Sequence, residues 1–126
     1  MIDLQYSTYG RHTVVDVWGV ESSFLDNVDF LRLIMVNAAE KSGATVLSVI
    51  HKKFDPSGCS ILVLLSESHL SIHTYPEENF AAIDGYTCGK RVDPKVAVDY
   101  LIDILKPKKM YTKTLIRGSN EIDVLD

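Results

Sequence analysis

Apolar positions along the chain alternate between two spacings. From His12 to Val20 (His-Thr-Val-Val-Asp-Val-Trp-Gly-Val) β-branched residues dominate, which predicts a first strand. From Asn27 to Ser42 the spacing lengthens. Leu31, Ile34, Met35 and Ala38 form the stripe of a helix, and Gly43 stands where a left-handed residue would end it. Ala44 to Phe54 reads as a second strand, closed by the turn residues Asp55-Pro56-Ser57-Gly58, and Ser60 to Leu65 as a third. His69 to Tyr75 is a fourth, stopped by Pro76, which has no N–H to give a ladder, and Phe80 to Cys88 is a fifth. Asp93-Pro94 supplies a cap and a first-turn proline. Ala97, Tyr100, Leu101, Ile104 and Leu105 follow as the stripe of a second helix that Pro107 ends. Met110 to Arg117 reads as a last strand and Gly118 to Asp126 as a tail.

Two helices and about six short strands predict an α/β (α+β) fold: a two-layer sandwich with a largely antiparallel sheet and both helices on one face. The other sheet face then needs cover. With no third helix on offer, a second subunit laying its own sheet there is the economical solution, so a dimer is expected. The length of 126 residues and a hydrophobic content of 46% suit a single domain over 1–126.

A formal charge of −4, with basic residues scattered, argues against nucleic acid as a partner. Lys52-Lys53 and the interrupted run from Lys106 to Lys109 are short enough to be solvated edges. No apolar run approaches the roughly 20 residues that cross a bilayer, and Met1 to Tyr6 lacks the character of a signal peptide. A cytoplasmic protein with no membrane partner is expected, with Cys59 and Cys88 as free thiols.

Candidate chemistry is concentrated in Leu65-Ser66-Glu67-Ser68-His69-Leu70-Ser71-Ile72-His73-Thr74-Tyr75-Pro76-Glu77, followed by Cys88. Taken singly, a strand serine, histidine or cysteine is most often packing or surface. Taken jointly, Phe54, Ser60, Glu67-Ser68, His73, Glu77 and Cys88 stand at the spacings of one family. The segment resembles the processing and catalytic region of the pyruvoyl-dependent S-adenosylmethionine decarboxylases, in their short bacterial and archaeal form. The similarity extends to Gly10-Arg11-His12, Trp18-Gly19, Asn37-Ala38-Ala39, Asp84 and Tyr86-Thr87-Cys88-Gly89, spanning about residues 10 to 105.

The resemblance implies that Ser68 attacks the carbonyl of Glu67 and turns the peptide bond into an ester, with Ser60 as hydrogen-bond donor to the oxyanion. It implies that His73 then removes the Ser68 α-proton. Elimination and hydrolysis would release ammonia and leave a pyruvoyl cofactor on an α chain of 68–126, separate from a β chain of 1–67. The pyruvoyl carbonyl would form a Schiff base with S-adenosylmethionine, and Cys88 would protonate the carbanion left by carbon dioxide; a thiol of ordinary pKa, about 8.5, is protonated at neutral pH. Phe54 would stack on the adenine, Glu77 would accept the ribose hydroxyls, and Leu65 and Tyr75 would line the substrate site, Tyr75 being equally well explained as strand packing. The product would be the aminopropyl donor for spermidine, made without a metal.

Strand alternation adds a constraint. Ser68, Leu70 and Ile72 share one face, while His69, Ser71, His73 and Tyr75 share the other, so Ser68 and His73 of one copy point apart. A kink at Ser68 would repair this, as would a homodimer whose sites are shared across the interface; the shared site is favoured. Three rivals remain at this level: a related decarboxylase acting on arginine or ornithine, a metal site built on His69 and His73 with Glu67 and Glu77 nearby, and a binding domain that never processes.

Overall fold

The computed structural model describes residues 8–125. It contains β1 (Gly10–Trp18), α1 (Ser22–Leu25), α2 (Val28–Lys41), β2 (Val46–Lys53), β3 (Cys59–Leu65), β4 (Ser68–Tyr75), β5 (Phe80–Cys88), α3 (Pro94–Leu105), β6 (Lys109–Arg117) and β7 (Asp123–Leu125), with a short 3-10 turn at Pro76–Glu78. The strands form one sheet in the order β2-β3-β4-β5-β1-β6-β7, antiparallel at every pairing. Both long helices lie on one face, as the two-layer expectation requires.

Local chemistry accounts for the helix limits. The Asn27 side chain accepts the Phe30 N–H at the start of α2, and Gly43, at φ +88°, takes the left-handed position just beyond its end. Asp93 caps α3 by accepting from the Lys95 N–H, and Pro94 occupies the first turn, where its missing donor costs nothing. Where α3 meets the sheet, Gly85 leaves the room: a Cβ there would sit 3.1 Å from Pro94 and 3.3 Å from Leu70.

The core lies between helices and sheet. Val15, Val17, Ile61, Val63, Leu70, Ile72, Ala81 and Ile83 point up from four adjacent strands against Leu31, Ile34, Met35, Ala38 and Ala39 of α2 and Ala97, Val98, Leu101 and Leu105 of α3. The opposite face carries no helix, and Val14, Trp18, Ile50, Leu62, Leu64 and Tyr75 stay exposed on it.

Three features depart from the sequence reading. Beside the two long helices there is the four-residue α1, too short to show a stripe; the Thr74 hydroxyl ties it to the sheet by donating to the Leu25 carbonyl at 2.7 Å. Residues read as a tail contain β7, paired with β6 from Thr114 to Ile116, which covers an otherwise open edge. The first strand begins at Gly10 and ends at Trp18, because Val20 turns away to bond Asn79. No helix among the described residues is long and apolar enough to cross a membrane.

Leu31 is fully buried, whereas Leu33 on the same helix is 59% exposed. Leu31→Ala is expected to cost about 2–5 kcal/mol through lost contacts and a residual cavity, and Leu33→Ala to stay within about 0.5 kcal/mol. Urea unfolding of the two variants against the parent chain measures both.

Candidate active site

β3 and β4 are joined by a two-residue turn, Ser66-Glu67, with Leu65 opposite Ser68 at its base. Ser68 sits at φ +145°, a conformation that a residue with a Cβ keeps only when its surroundings hold it there. Those surroundings are specific. The Ser66 N–H donates to the Thr45 carbonyl at 3.0 Å, and the Glu67 carbonyl accepts the Cys88 N–H at 3.0 Å and the Cys88 thiol at 3.4 Å. The Glu67 carboxylate is buried, accepting from the Thr45 N–H at 3.1 Å and from Arg91 at 2.9 Å. Burial pushes this carboxyl up, but the bonds from Thr45 and Ser66 and the Arg91 charge outweigh it and hold the group below its ordinary value.

Halfway along β4 lies a second pair. Ser60 is directly opposite His73, and its Oγ is 2.7 Å from His73 Nδ1 on the helix-free face. Five positions separate His73 from Ser68, roughly 16 Å along an extended strand, and the alternation predicted from the sequence holds: Leu70, Ile72 and Thr74 are buried under the helices while His73 and Tyr75 are exposed opposite. Phe54, half exposed, follows β2 beyond this pair. Glu77 accepts from the Ser57 hydroxyl at 2.7 Å, and that bond holds its carboxyl below the ordinary range. Tyr75 stacks on Phe80, which packs against Trp18, an aromatic row at the end of the sheet.

One chain thus brings Ser68, Glu67 and Cys88 together at one end of β4, and Ser60 and His73 together farther along, without joining the two groups. The Leu65 side chain belongs to the core. Neither Cys59 nor Cys88 is in a disulfide; Cys59 is buried under the helices, where burial pushes its thiol up.

Between the two groups lies a network to which the sequence reading assigned no role. His12 and His69 both place Nε2 on Asp84 Oδ2, at 2.6 and 2.9 Å, and the Ser71 hydroxyl donates to Oδ1. The register explains it: Asp84 is opposite Ser71 on one side and Val14 on the other, and the next rung is His69, Tyr86, His12. Arg117 lies 4.7 Å above the Tyr86 ring and donates to His12 Nδ1 at 3.3 Å. Because a guanidinium only donates, Nδ1 accepts and the His12 proton sits on Nε2, directed at Asp84. The ligand atoms of His12, His69 and Asp84 lie within 4.8 Å of one another, but a metal on His12 Nε2 would need the opposite tautomer and would face the Arg117 charge. The metal grouping considered from the sequence is dispersed: His69 goes to Asp84, His73 to Ser60, Glu67 to Thr45 and Arg91, and Glu77 to Ser57.

Burial pushes the Asp84 carboxyl up, and the bonds from Ser71, His69 and His12 outweigh it, leaving the group below its ordinary value. A carboxyl depressed in the folded state adds stability that is complete above its unfolded pKa and is lost as pH falls through the folded one. Asp84→Asn is therefore expected to lower stability at neutral pH and to flatten the loss below about pH 4, as read from urea midpoints across a pH series.

Comparison with known proteins identifies the family. A family model described as S-adenosylmethionine decarboxylase matches residues 11–118. Over 123 residues the chain is 58% identical to the S-adenosylmethionine decarboxylase proenzyme of Brevibacillus brevis, covering 98% of this chain and 92% of that one. It is equally identical, at 58% over 123 residues, to S-adenosylmethionine decarboxylase proenzyme 2 of Bacillus cereus, covering 98% of this chain and all of that one. The crystal structure of the adenosylmethionine decarboxylase from Aquifex aeolicus superimposes with a TM-score of 0.84 at 36% identity, covering 91% of this chain and 95% of that chain. With a family model over most of the chain, relatives of high identity and a solved structure of the same fold in agreement, the chain belongs to the S-adenosylmethionine decarboxylase family.

Proposed function

We propose that the chain cuts itself between Glu67 and Ser68, converts Ser68 into a pyruvoyl group, and then decarboxylates S-adenosylmethionine to the aminopropyl donor of spermidine synthesis. The observation that carries this reading is the Glu67 carbonyl. It precedes a Ser68 held at φ +145° and accepts two hydrogen bonds from Cys88, donors suited to an oxyanion. Attack by Ser68 Oγ on that carbonyl forms the C–O bond and places negative charge on the oxygen facing Cys88. Collapse breaks the C–N bond and leaves an ester with a free Ser68 amine. Loss of the Ser68 α-proton to a base expels the Glu67 carboxylate. Water then replaces the nitrogen of the resulting dehydroalanine, releasing ammonia.

The base is His73, and its bond to Ser60 orients the imidazole. Roughly 16 Å of strand separates it from Ser68, so the base and the Ser60 hydroxyl come from a second copy laid sheet to sheet on the helix-free face. A twofold that sets position 68 over position 73 of the other copy runs across the strands near the level of Ser71, stacking each strand on its counterpart. The exposed Val14, Ile50, Leu62 and Leu64 flank that line and favour burial there.

The pyruvoyl group supplies the carbonyl that condenses with the substrate amine and takes up electrons as carbon dioxide leaves. Cys88, beside it, holds the proton delivered to the substrate carbon. From the second copy, Phe54 stacks on the adenine and Glu77 accepts the ribose hydroxyls, and the exposed Tyr75 completes the lining; the core position of the Leu65 side chain takes it out of that lining. The naming of the relatives favours S-adenosylmethionine over arginine as substrate.

The purified chain is expected to separate, by intact mass, into pieces of residues 1–67 and 68–126, and to release carbon dioxide from S-adenosylmethionine but not from arginine. Ser68→Ala and His73→Ala chains should each stay whole, while their mixture regains partial cleavage of the His73→Ala chain. A mixture that remains whole would sink the shared site.

A further inference from the structure

Hydrogen bonds from several directions hold the Ser66-Glu67 turn. The Ser66 N–H on Thr45, the Thr45 N–H on Glu67 Oε1 and the Cys88 N–H on the Glu67 carbonyl each use a backbone donor, and the Cys88 thiol adds a second bond to that carbonyl. Arg91 Nη2 to Glu67 Oε2, at 2.9 Å, brings a cation to the turn. The partners are unequal in setting: the Glu67 side chain is 8% exposed and that of Arg91 60%. A carboxylate so far out of water needs its donors, and a side chain that loses one turns toward solvent instead. Here turning would pull on the residue whose carbonyl faces Cys88 and whose successor is held at positive φ. Arg91 also lies three positions after Cys88 on the segment leading into α3, so one stretch of chain supplies both the donors to the carbonyl and the anchor for the side chain of the same residue.

We propose that Arg91 is a positioning residue for self-cleavage: its bond to the Glu67 carboxylate fixes the turn so that the Glu67 carbonyl stays on Cys88 and Ser68 stays in its strained conformation. The inference rests on the processing reading given above. Arg91 touches neither the attacking oxygen nor the carbonyl and acts through Glu67. It therefore predicts an effect on the rate of chain opening out of proportion to any effect on folding, and one that vanishes when Glu67 has no charge to hold.

The test follows conversion of freshly refolded full-length chain by intact mass, alongside thermal melting. Arg91→Ala is expected to slow cleavage by about tenfold or more, the size of one charge-assisted hydrogen bond, with Arg91→Lys recovering most of the rate. Glu67→Gln should slow it comparably, and the double variant should be no slower than the slower single one. Wild-type rates in Arg91→Ala and Glu67→Gln, or effects of the two that multiply, would overturn the inference while leaving the processing reading intact. A parent chain that never opens would overturn both. Should Arg91→Ala fail to fold, Glu67→Gln decides alone, since it keeps the side chain's volume: slowing supports the role and an unchanged rate removes it.

Discussion

The central strand β4 is gripped on both edges. Every residue from Ser68 to His73 is paired with β3 on one side and β5 on the other, so neither its register nor its pleat is free to adapt. Most of the chemistry follows from that rigidity. Ser68 is fixed at the rung of Leu65 and Thr87, His73 at the rung of Ser60 and Ala82, and the distance between them is set by strand rise alone. A flexible loop carrying the same residues would let one chain close on itself. A doubly paired strand does not, and the proposal of a second copy rests on that ladder.

The helix-free face sorts its side chains by position. Its flanks carry exposed apolar side chains, and its middle carries the satisfied network of Asp84, His12, His69 and Ser71, with Arg117 beside it. In the proposed pairing of two sheets, apolar flanks would provide the drive for association, whereas a hydrogen-bonded middle would penalise any register that leaves its groups unpaired. Strength and alignment would then fall to different residues. On the other side of the sheet, the close approach at Gly85 seats α3, and α3 begins where the Cys88–Asp93 segment ends, linking the packing of the core to the placement of Arg91.

Much of this could be read from the chain itself. The stripes of α2 and α3, the capping of both and the alternation in β4 are local patterns, and local patterns survive without coordinates; the grouping of Glu67-Ser68 with Cys88, 21 positions apart, is legible only through the family resemblance. The misses have a common cause. β7 is a strand because β6 offers an edge, α1 is one turn held by a distant hydroxyl, and the His12–Asp84 bond joins positions 72 apart in sequence. Arg91 carries no signal in the sequence, since its partner lies 24 residues earlier and is presented only once the β3–β4 turn closes against Thr45. His12 and Asp84 were noticed as part of a resemblance, but their joint role depends on β1 lying next to β5, a pairing no short window contains.

The strand order has a further consequence for a chain opened between 67 and 68. The first piece would own β1, β2 and β3, the second β4 to β7, yet β1 lies between β5 and β6. The two products are therefore interleaved like the fingers of clasped hands: separating them means unzipping the β3–β4 ladder and both margins of β1, and prising α2 from α3. A cut there would remove a covalent tie while leaving the sheet whole, giving the enzyme a new chain end within its fold without making it two molecules.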